Sequence, residues 1–125
     1  MQYLLSMYYP EADDVGLTEE DMAPAMAAFD RYARDLTAAG VLLSTNVLQP
    51  VANATTVTAR SGSLVVQDGP FADSKEKLGG VFLLELPDLD AAIAWAEKNP
   101  AAAWGSIEIR PTALTYADGA WQSAM

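Results

Sequence analysis

Residues 68–80 read Asp68-Gly69-Pro70-Phe71-Ala72-Asp73-Ser74-Lys75-Glu76-Lys77-Leu78-Gly79-Gly80. This stretch sits mid-chain, between a hairpin-like segment and the most apolar run of the sequence. Asp68-Gly69-Pro70 breaks any regular element, because glycine permits positive φ while proline fixes φ and removes a donor. Ser74, Lys75 and Glu76 place a hydroxyl, a cation and a carboxylate side by side. Gly79-Gly80 leaves the backbone bare ahead of residues 81–86, which are apolar on both faces. A solvated turn has no use for Phe71 among charges, so its ring is expected to bury against the sheet or the second helix and anchor the loop.

Upstream, residues 2–9 alternate as a strand, with Tyr3, Leu5, Met7 and Tyr9 on one face and Leu4, Ser6 and Tyr8 on the other. After an acidic loop, Thr18 and Asp21 mark a helix start. Met22, Met26, Phe29, Ala33 and Leu36 follow at helical spacing, and Gly40 ends the helix. Pro24 interrupts this pattern, which moves the expected start of the main helix toward Asp21. Residues 41–48 form a second strand, and residues 54–60 and 64–68 form a hairpin about Ser61-Gly62.

Downstream of the loop, Asp88 caps a short helix with Leu89, Ala92, Ile93 and Ala96 inward, ended by Asn99-Pro100. Residues 106–110 form a last strand, with Ile107 and Ile109 on one face and Glu108 and Arg110 on the other. Residues 1–112 then make one domain and residues 113–125 a tail, whose Trp121 needs cover.

The order is β-α-β, hairpin, β-α-β. Right-handed crossovers put both helices on one side of a sheet, giving an α+β, ferredoxin-like sandwich with a β-hairpin insertion. Its first and third core strands are central, and here those are the two strands apolar on both faces. The face without helices exposes Leu4 with Phe82, Leu84 or their alternates, a patch that a partner sheet would cover. A homodimer through the sheet faces is therefore expected.

The run Asp-Gly-Pro-Phe-Ala-Asp-Ser-Lys-Glu with Leu-Gly-Gly after it resembles the signature of the DGPF branch of the YCII-related proteins. The tyrosine-rich first strand, Leu48-Gln49-Pro50 and Ile107-Glu108-Ile109-Arg110-Pro111 fit the same likeness, which covers residues 1–112. The resemblance implies a dimeric α/β barrel, two sheets face to face around a cleft. It also implies a role beside extracytoplasmic-function sigma factors. The wider group is associated with a catalytic His and Asp pair, which cannot be carried over to a chain without histidine.

Composition narrows the chemistry. The net charge of −10 disfavours nucleic acid and anionic membranes as partners. Without Cys or His there is no thiolate chemistry, imidazole general base or imidazole metal site. No metal and no cofactor is expected. The absence of a signal-peptide pattern or a long apolar run leads to a cytoplasmic expectation.

The candidate ligand-binding residues are Asp68, Ser74, Lys75, Glu76, Tyr8, Glu108 and Arg110. In one reading Lys75 and N–H groups near Ser74 hold a small anionic ligand, with Glu76 or Asp68 handling a proton. In the other, Asp68 caps the turn and Lys75 pairs with a carboxylate. Glu108 and Arg110 are either cleft residues or an intermolecular salt bridge at a dimer rim. Asp13-Asp14 lacks calcium-loop spacing and reads as a solvated face. Two functions stay open: a small-molecule-binding accessory or regulatory protein, and an isomerase or lyase working without histidine in the inter-subunit cleft.

Overall fold

A computed structural model describes residues 1–124. Its elements run β1 (Gln2–Tyr9), α1 (Glu19–Ala38), β2 (Leu42–Val47), β3 (Thr55–Thr58), β4 (Val65–Asp68), β5 (Lys77–Glu85), α2 (Leu89–Lys98), β6 (Ser106–Pro111), β7 (Leu114–Ala117) and β8 (Ala120–Ser123). Four strands form one antiparallel sheet in the order β2-β5-β1-β6, the ferredoxin-like arrangement. The two strands that are apolar on both sides are the central ones. β3–β4 and β7–β8 are separate two-stranded hairpins.

One face of the sheet carries the core. Tyr3, Leu5 and Met7 of β1 and Phe82 and Leu84 of β5 meet Tyr32 and Leu36 of α1 and Ala92 and Ala96 of α2. The register sets this arrangement, since Tyr3 lies opposite Leu84 and Leu5 opposite Phe82. Phe82 and Leu84 therefore belong to the helix side, and the uncovered face carries their alternates, Val81 and Leu83, beside Leu4. On β6, Ile107 and Ile109 pack toward the core while Glu108 and Arg110 are exposed on the other face.

Each helix keeps part of the stripe expected of it, Phe29 and Leu36 in α1 and Ala92 and Ala96 in α2, and exchanges the rest. In α1 the inward residues are Phe29, Tyr32 and Leu36, and Met26 is two-thirds exposed. Steps of three and four from Phe29 lead to Tyr32 and Leu36, a stripe that Met26 does not join. In α2, Leu89 and Ile93 are exposed, and Ala91, Ala92, Trp95 and Ala96 face the sheet. The small alanines let α2 lie close to the sheet. α1 is continuous through Pro24: its start at Glu19 is fixed by a capping box, with Asp21 N–H donating to Thr18 Oγ1 (3.2 Å) and Thr18 N–H to Asp21 Oδ2 (2.9 Å). The Thr18 N–H, and after it the Thr18 hydroxyl (2.9 Å), donate to the Asp21 carboxylate and hold it below its usual range. Pro24 removes only the bond it would make to Glu20, within the second turn.

β5 begins at Lys77, four residues before the expected start, and absorbs Gly79-Gly80. The register shifts opposite Met7 and Tyr8, where a bulge gives β5 one extra residue, Gly79, with no partner on β1. A Cβ on Gly79 would stand 2.2 Å from the Tyr9 ring, and one on Gly80 would stand 2.7 Å from the Asn46 carbonyl oxygen. The glycine pair exists because Tyr9 and β2 lie directly on it.

Residues 114–123 fold as the β7–β8 hairpin. It is tied to β1 by Thr112 N–H to the Gln2 carbonyl (2.9 Å) and by Thr115 Oγ1 to Gln2 Oε1 (3.2 Å). Trp121 remains 68% exposed, and among the described residues its ring partner is the edge of Tyr116, at 5.3 Å between ring centroids.

Tyr32 centres the core between α1, α2 and β5. Its hydroxyl donates to the Trp95 carbonyl (2.8 Å), and its ring meets Phe82 and Trp95 edge-on. Burial pushes its phenol up to about 12 from an ordinary 10.0, with the facing Asn99 amide pulling slightly the other way. The neutral phenol is the form the fold prefers, so its stabilising contribution is complete below pH 10 and falls as pH rises toward 12. Removing the hydroxyl with Tyr32→Phe should cost about 1–3 kcal/mol at pH 7, because the Trp95 carbonyl loses its donor. Urea unfolding of parent and variant from pH 7 to pH 12 should show that gap narrowing above pH 10. A constant gap would mean that the phenol does not titrate with folding.

Candidate functional site

The signature loop, residues 69–76, connects the β3–β4 hairpin to β5 and lies over one end of the uncovered sheet face. Three adjacent strands supply the floor there, since Tyr8 of β1 lies opposite both Leu78 of β5 and Ser106 of β6. Glu76 reaches over this row, and its Oε2 accepts from Ser106 Oγ at 3.1 Å. Ser74 Oγ donates to the Glu76 backbone carbonyl and so fixes the turn that aims Glu76. Leu48, Pro50, Val51, Pro70, Phe71 and Ala72 form apolar walls, with Gln49 and Asn53 as polar rim. The groove encloses about 510 Å³.

Lys77 borders both this groove and the hollow on the other side of the loop. Its ammonium bonds to Asp14 Oδ2 at 2.7 Å and lies 3.8 Å from Glu11 Oε1. The hydrogen bond to Asp14 holds that ammonium above its ordinary range, and the fields of Asp14, Glu11 and Asp73 add to it against the cost of burial. Glu11 Oε2 in turn accepts from the Val51 N–H at 2.8 Å. The tyrosine beside this cluster, Tyr9, is raised in pKa by burial and by the Glu11 charge.

The candidate residues thus divide. Tyr8, Ser74 and Glu76 share the groove. Lys75 is exposed on a second hollow of about 530 Å³ with Pro10, Asp14, Val15, Asp73, Ser74 and Lys77. It forms no ion pair among the described residues, and the cation that pairs with carboxylates is its neighbour Lys77. Asp68 ends β4 and is exposed, making no side-chain hydrogen bond among the described residues. The turn is closed instead by Gly69 N–H to the Ala54 carbonyl and by Thr56 Oγ1 to the Gly69 carbonyl, each 2.8 Å. Glu108 and Arg110 lie farther along the uncovered face, opposite Ser6 and Leu4, and form no ion pair among the described residues.

Phe71 is not an internal anchor. It is 78% exposed at the groove wall, with the Arg60 guanidinium 5.7 Å above its ring. The loop is fastened by the Lys77 ion pairs and the Ser74 and Glu76 hydrogen bonds, so its position needs no buried aromatic. Ser106, Glu11 and Lys77 escaped sequence reading because their partners lie 30 to 66 positions away. Asp14, read as part of a solvated face, had no local feature to reveal its bond to Lys77. No group of carboxylates among the described residues is arranged to hold a metal ion, and no helix is long and apolar enough to cross a membrane.

The model of the YCII-related domain matches residues 1–113. The chain belongs to the YCII-related family. Uncharacterized protein R00369 of Rhizobium meliloti (strain 1021) is 33% identical over 116 residues, which cover 91% of this chain and 94% of that protein. Among solved structures, 5-chloro-2-hydroxyhydroquinone dehydrochlorinase from Burkholderia phenoliruptrix AC1100, in complex with 2,5-dihydroxybenzoquinone, is 18% identical, with a TM-score of 0.48 over 88% of this chain and 91% of that one. In this YCII-related chain the conspicuous loop residues serve two purposes. Gly79, Gly80 and Ser74 shape the backbone, and Glu76 and Phe71 face the groove.

Replacing Phe71 by Ala tests that division. A buried phenylalanine would cost roughly 3–5 kcal/mol. An exposed ring beneath one guanidinium should cost less than about 1 kcal/mol in chemical denaturation. A larger loss would return Phe71 to the role of anchor.

Proposed function

We propose that the chain is a small-molecule-binding protein with an accessory or regulatory role, and that its ligand lies in the groove over Tyr8. The observation that carries this reading is the placement of the Glu76 carboxylate, held by Ser106, in the same groove as Tyr8, among apolar walls with a polar rim. A groove of this size and mixed lining suits a small organic molecule, since ligand pockets span roughly 300–1,000 Å³. Lys77 is already neutralised by Asp14 and Glu11, so the free charge facing the groove is Glu76. Such a site favours a molecule with an apolar body that offers hydroxyl or ammonium donors. A second reading, an isomerase or lyase moving a proton without histidine, is favoured by the same juxtaposition of a phenol with a carboxylate.

The expected anionic ligand has a separate place. The free ammonium of Lys75 on the neighbouring hollow supports an anion there, although Asp14 and Asp73 share that hollow and oppose one. Thermal-shift screening separates the sites. Small phenols and amines should raise the melting temperature of the parent and of Lys75→Met, and fail on Glu76→Gln. A shift by carboxylates or phosphates that Lys75→Met abolishes would assign binding to Lys75 instead, and silence from every compound would remove both sites. Proton chemistry would appear as turnover of a bound compound that Glu76→Gln stops.

The working unit in this reading is a homodimer joined through the uncovered sheet faces. Half-buried Leu4, Val81 and Leu83 there support it, as do Glu108 and Arg110, two residues apart on one strand face. A two-fold axis brings each residue of such a pair to the partner's opposite charge. Light scattering at micromolar concentration should give twice the 13.3 kDa chain mass. Arg110→Glu should weaken association several-fold, and Glu108→Arg with Arg110→Glu should restore it, as expected for close charge pairs across an interface. A parent that stays monomeric would remove the dimer.

A further inference from the structure

Two strands of chain lead from the sheet to the β3–β4 hairpin, and both border the groove. The outgoing strand, residues 48–54, has few fixed points. Leu48 N–H donates to the Gly79 carbonyl at 2.9 Å, and Gly69 N–H returns to the Ala54 carbonyl at the far end. Between them, Pro50 has no donor, and the Asn53 and Ala54 N–H groups bond within the segment, to the Pro50 and Val51 carbonyls. Val51 N–H is held by Glu11 Oε2 alone at 2.8 Å. Glu11 lies 40 positions away, in the loop leaving β1. Its other carboxylate oxygen faces Lys77, the first residue of β5, at 3.8 Å. Side-chain exposures of 21% for Glu11 and 17% for Lys77 leave both charges poorly solvated, which strengthens their mutual hold. One carboxylate therefore ties the end of β1, the start of β5 and the root of the hairpin.

We propose that Glu11 is a positioning residue, a latch that sets the width of the groove by fixing the hairpin root at Val51, with Lys77 holding the latch in place. The carboxylate does not line the groove, whereas Val51, Pro50 and Lys77 do. Loss of the latch would let the Val51 wall swing away from Tyr8 and Glu76 while the sheet stays intact. An effect on ligand affinity rests on the groove reading above, but the latch itself is measurable without any ligand.

Backbone amide exchange, followed by NMR on the whole chain, tests it. In Glu11→Ala the Val51 amide should exchange about tenfold faster, the scale expected for one lost bond to a charged acceptor. Leu5 and Phe82 in the β1–β5 ladder should exchange at parental rates. Glu11→Gln preserves the side-chain volume and an acceptor oxygen, and should stay closer to the parent than the alanine variant. Lys77→Met should also speed exchange at Val51, several-fold, although Lys77 does not bond to that amide. Parental exchange at Val51 in both Glu11→Ala and Lys77→Met overturns the proposal. So does an increase at Val51 that Leu5 and Phe82 match, because that is global destabilisation. Should Glu11→Ala fail to fold, Lys77→Met and Glu11→Gln decide by the same comparison.

Discussion

The pairing of β1 with β5 is the constraint on which the rest of the molecule depends. Each strand is apolar on both faces, so only a central position suits either, and their register decides which residues meet the helices. Tyr3 opposite Leu84 and Leu5 opposite Phe82 build the core on one side. The same register leaves Leu4, Val81 and Leu83 on the other. A slip by one residue would exchange these sets and destroy the core, so the uncovered apolar row is a direct consequence of the covered one. The bulge at Gly79 then ends the regular alternation where the site begins. It sends Lys77 toward Asp14 and Glu11 and leaves Leu78 beside Tyr8 on the open face.

Most of the fold was legible because its signals are local. Alternation marked β1 and β6, an unbroken apolar run marked β5, Thr18 and Asp88 cap their helices through Asp21 N–H and Ala91 N–H, and Ser61-Gly62 lies in the turn between β3 and β4. Errors arose where a local pattern allowed two solutions. Met26 and Phe29 both fit a helical stripe, and only the sheet's position selected Tyr32 and Leu36 and left Met26 in solvent. In α2, Ala92 and Ala96 face the sheet as expected, but Leu89 and Ile93 are exposed and Ala91 and Trp95 take their places. Close approach of the helix decided that, and propensity carries no record of it. Gly79-Gly80 looked like a loop because glycine is poor in strands, whereas here it makes room for Tyr9 and β2.

The site was legible in part for the same reason. Ser74 and Glu76 stood out as polar groups in a turn, and Tyr8 as the polar end of a strand, and these three meet in the groove. Lys75 attracted attention over Lys77 because it adjoins Ser74 and Glu76 in sequence. Their places in the chain reverse their roles: Lys77, the first residue of β5, is held by the strand against the acidic loop and pairs, while Lys75 lies in the loop before the strand and is left in solvent. The acidic loop looked featureless because ion pairs between distant segments leave no spacing to read. Phe71 misled through its chemistry: a large apolar ring usually seeks burial, and here it remains at a groove wall under Arg60.

Charge placement links the acidic composition to the uncovered face. The chain carries 17 carboxylates against 7 cations, which would oppose close approach of two copies if spread evenly. They are not spread evenly. Asp13, Asp14, Glu19, Glu20, Asp21, Asp30 and Asp35 crowd the first loop and α1, and Asp88, Asp90 and Glu97 follow on α2 and its cap, so the charge collects on the helix layer. Among the described residues, the strands of the uncovered face place Glu85, Glu108 and Arg110 around a strip of Leu4, Ser6, Tyr8, Val81 and Leu83, and Glu76 reaches over its end. Charge would therefore oppose the approach of a second sheet to this face less than approach to the acidic helix layer. The acidic helix layer and the sparsely charged apolar strip thus lie on opposite sides of the sheet. The groove lies at the end of that face, so a second sheet laid over the strip would remove water from the region of Tyr8 and strengthen every polar contact that Glu76 offers.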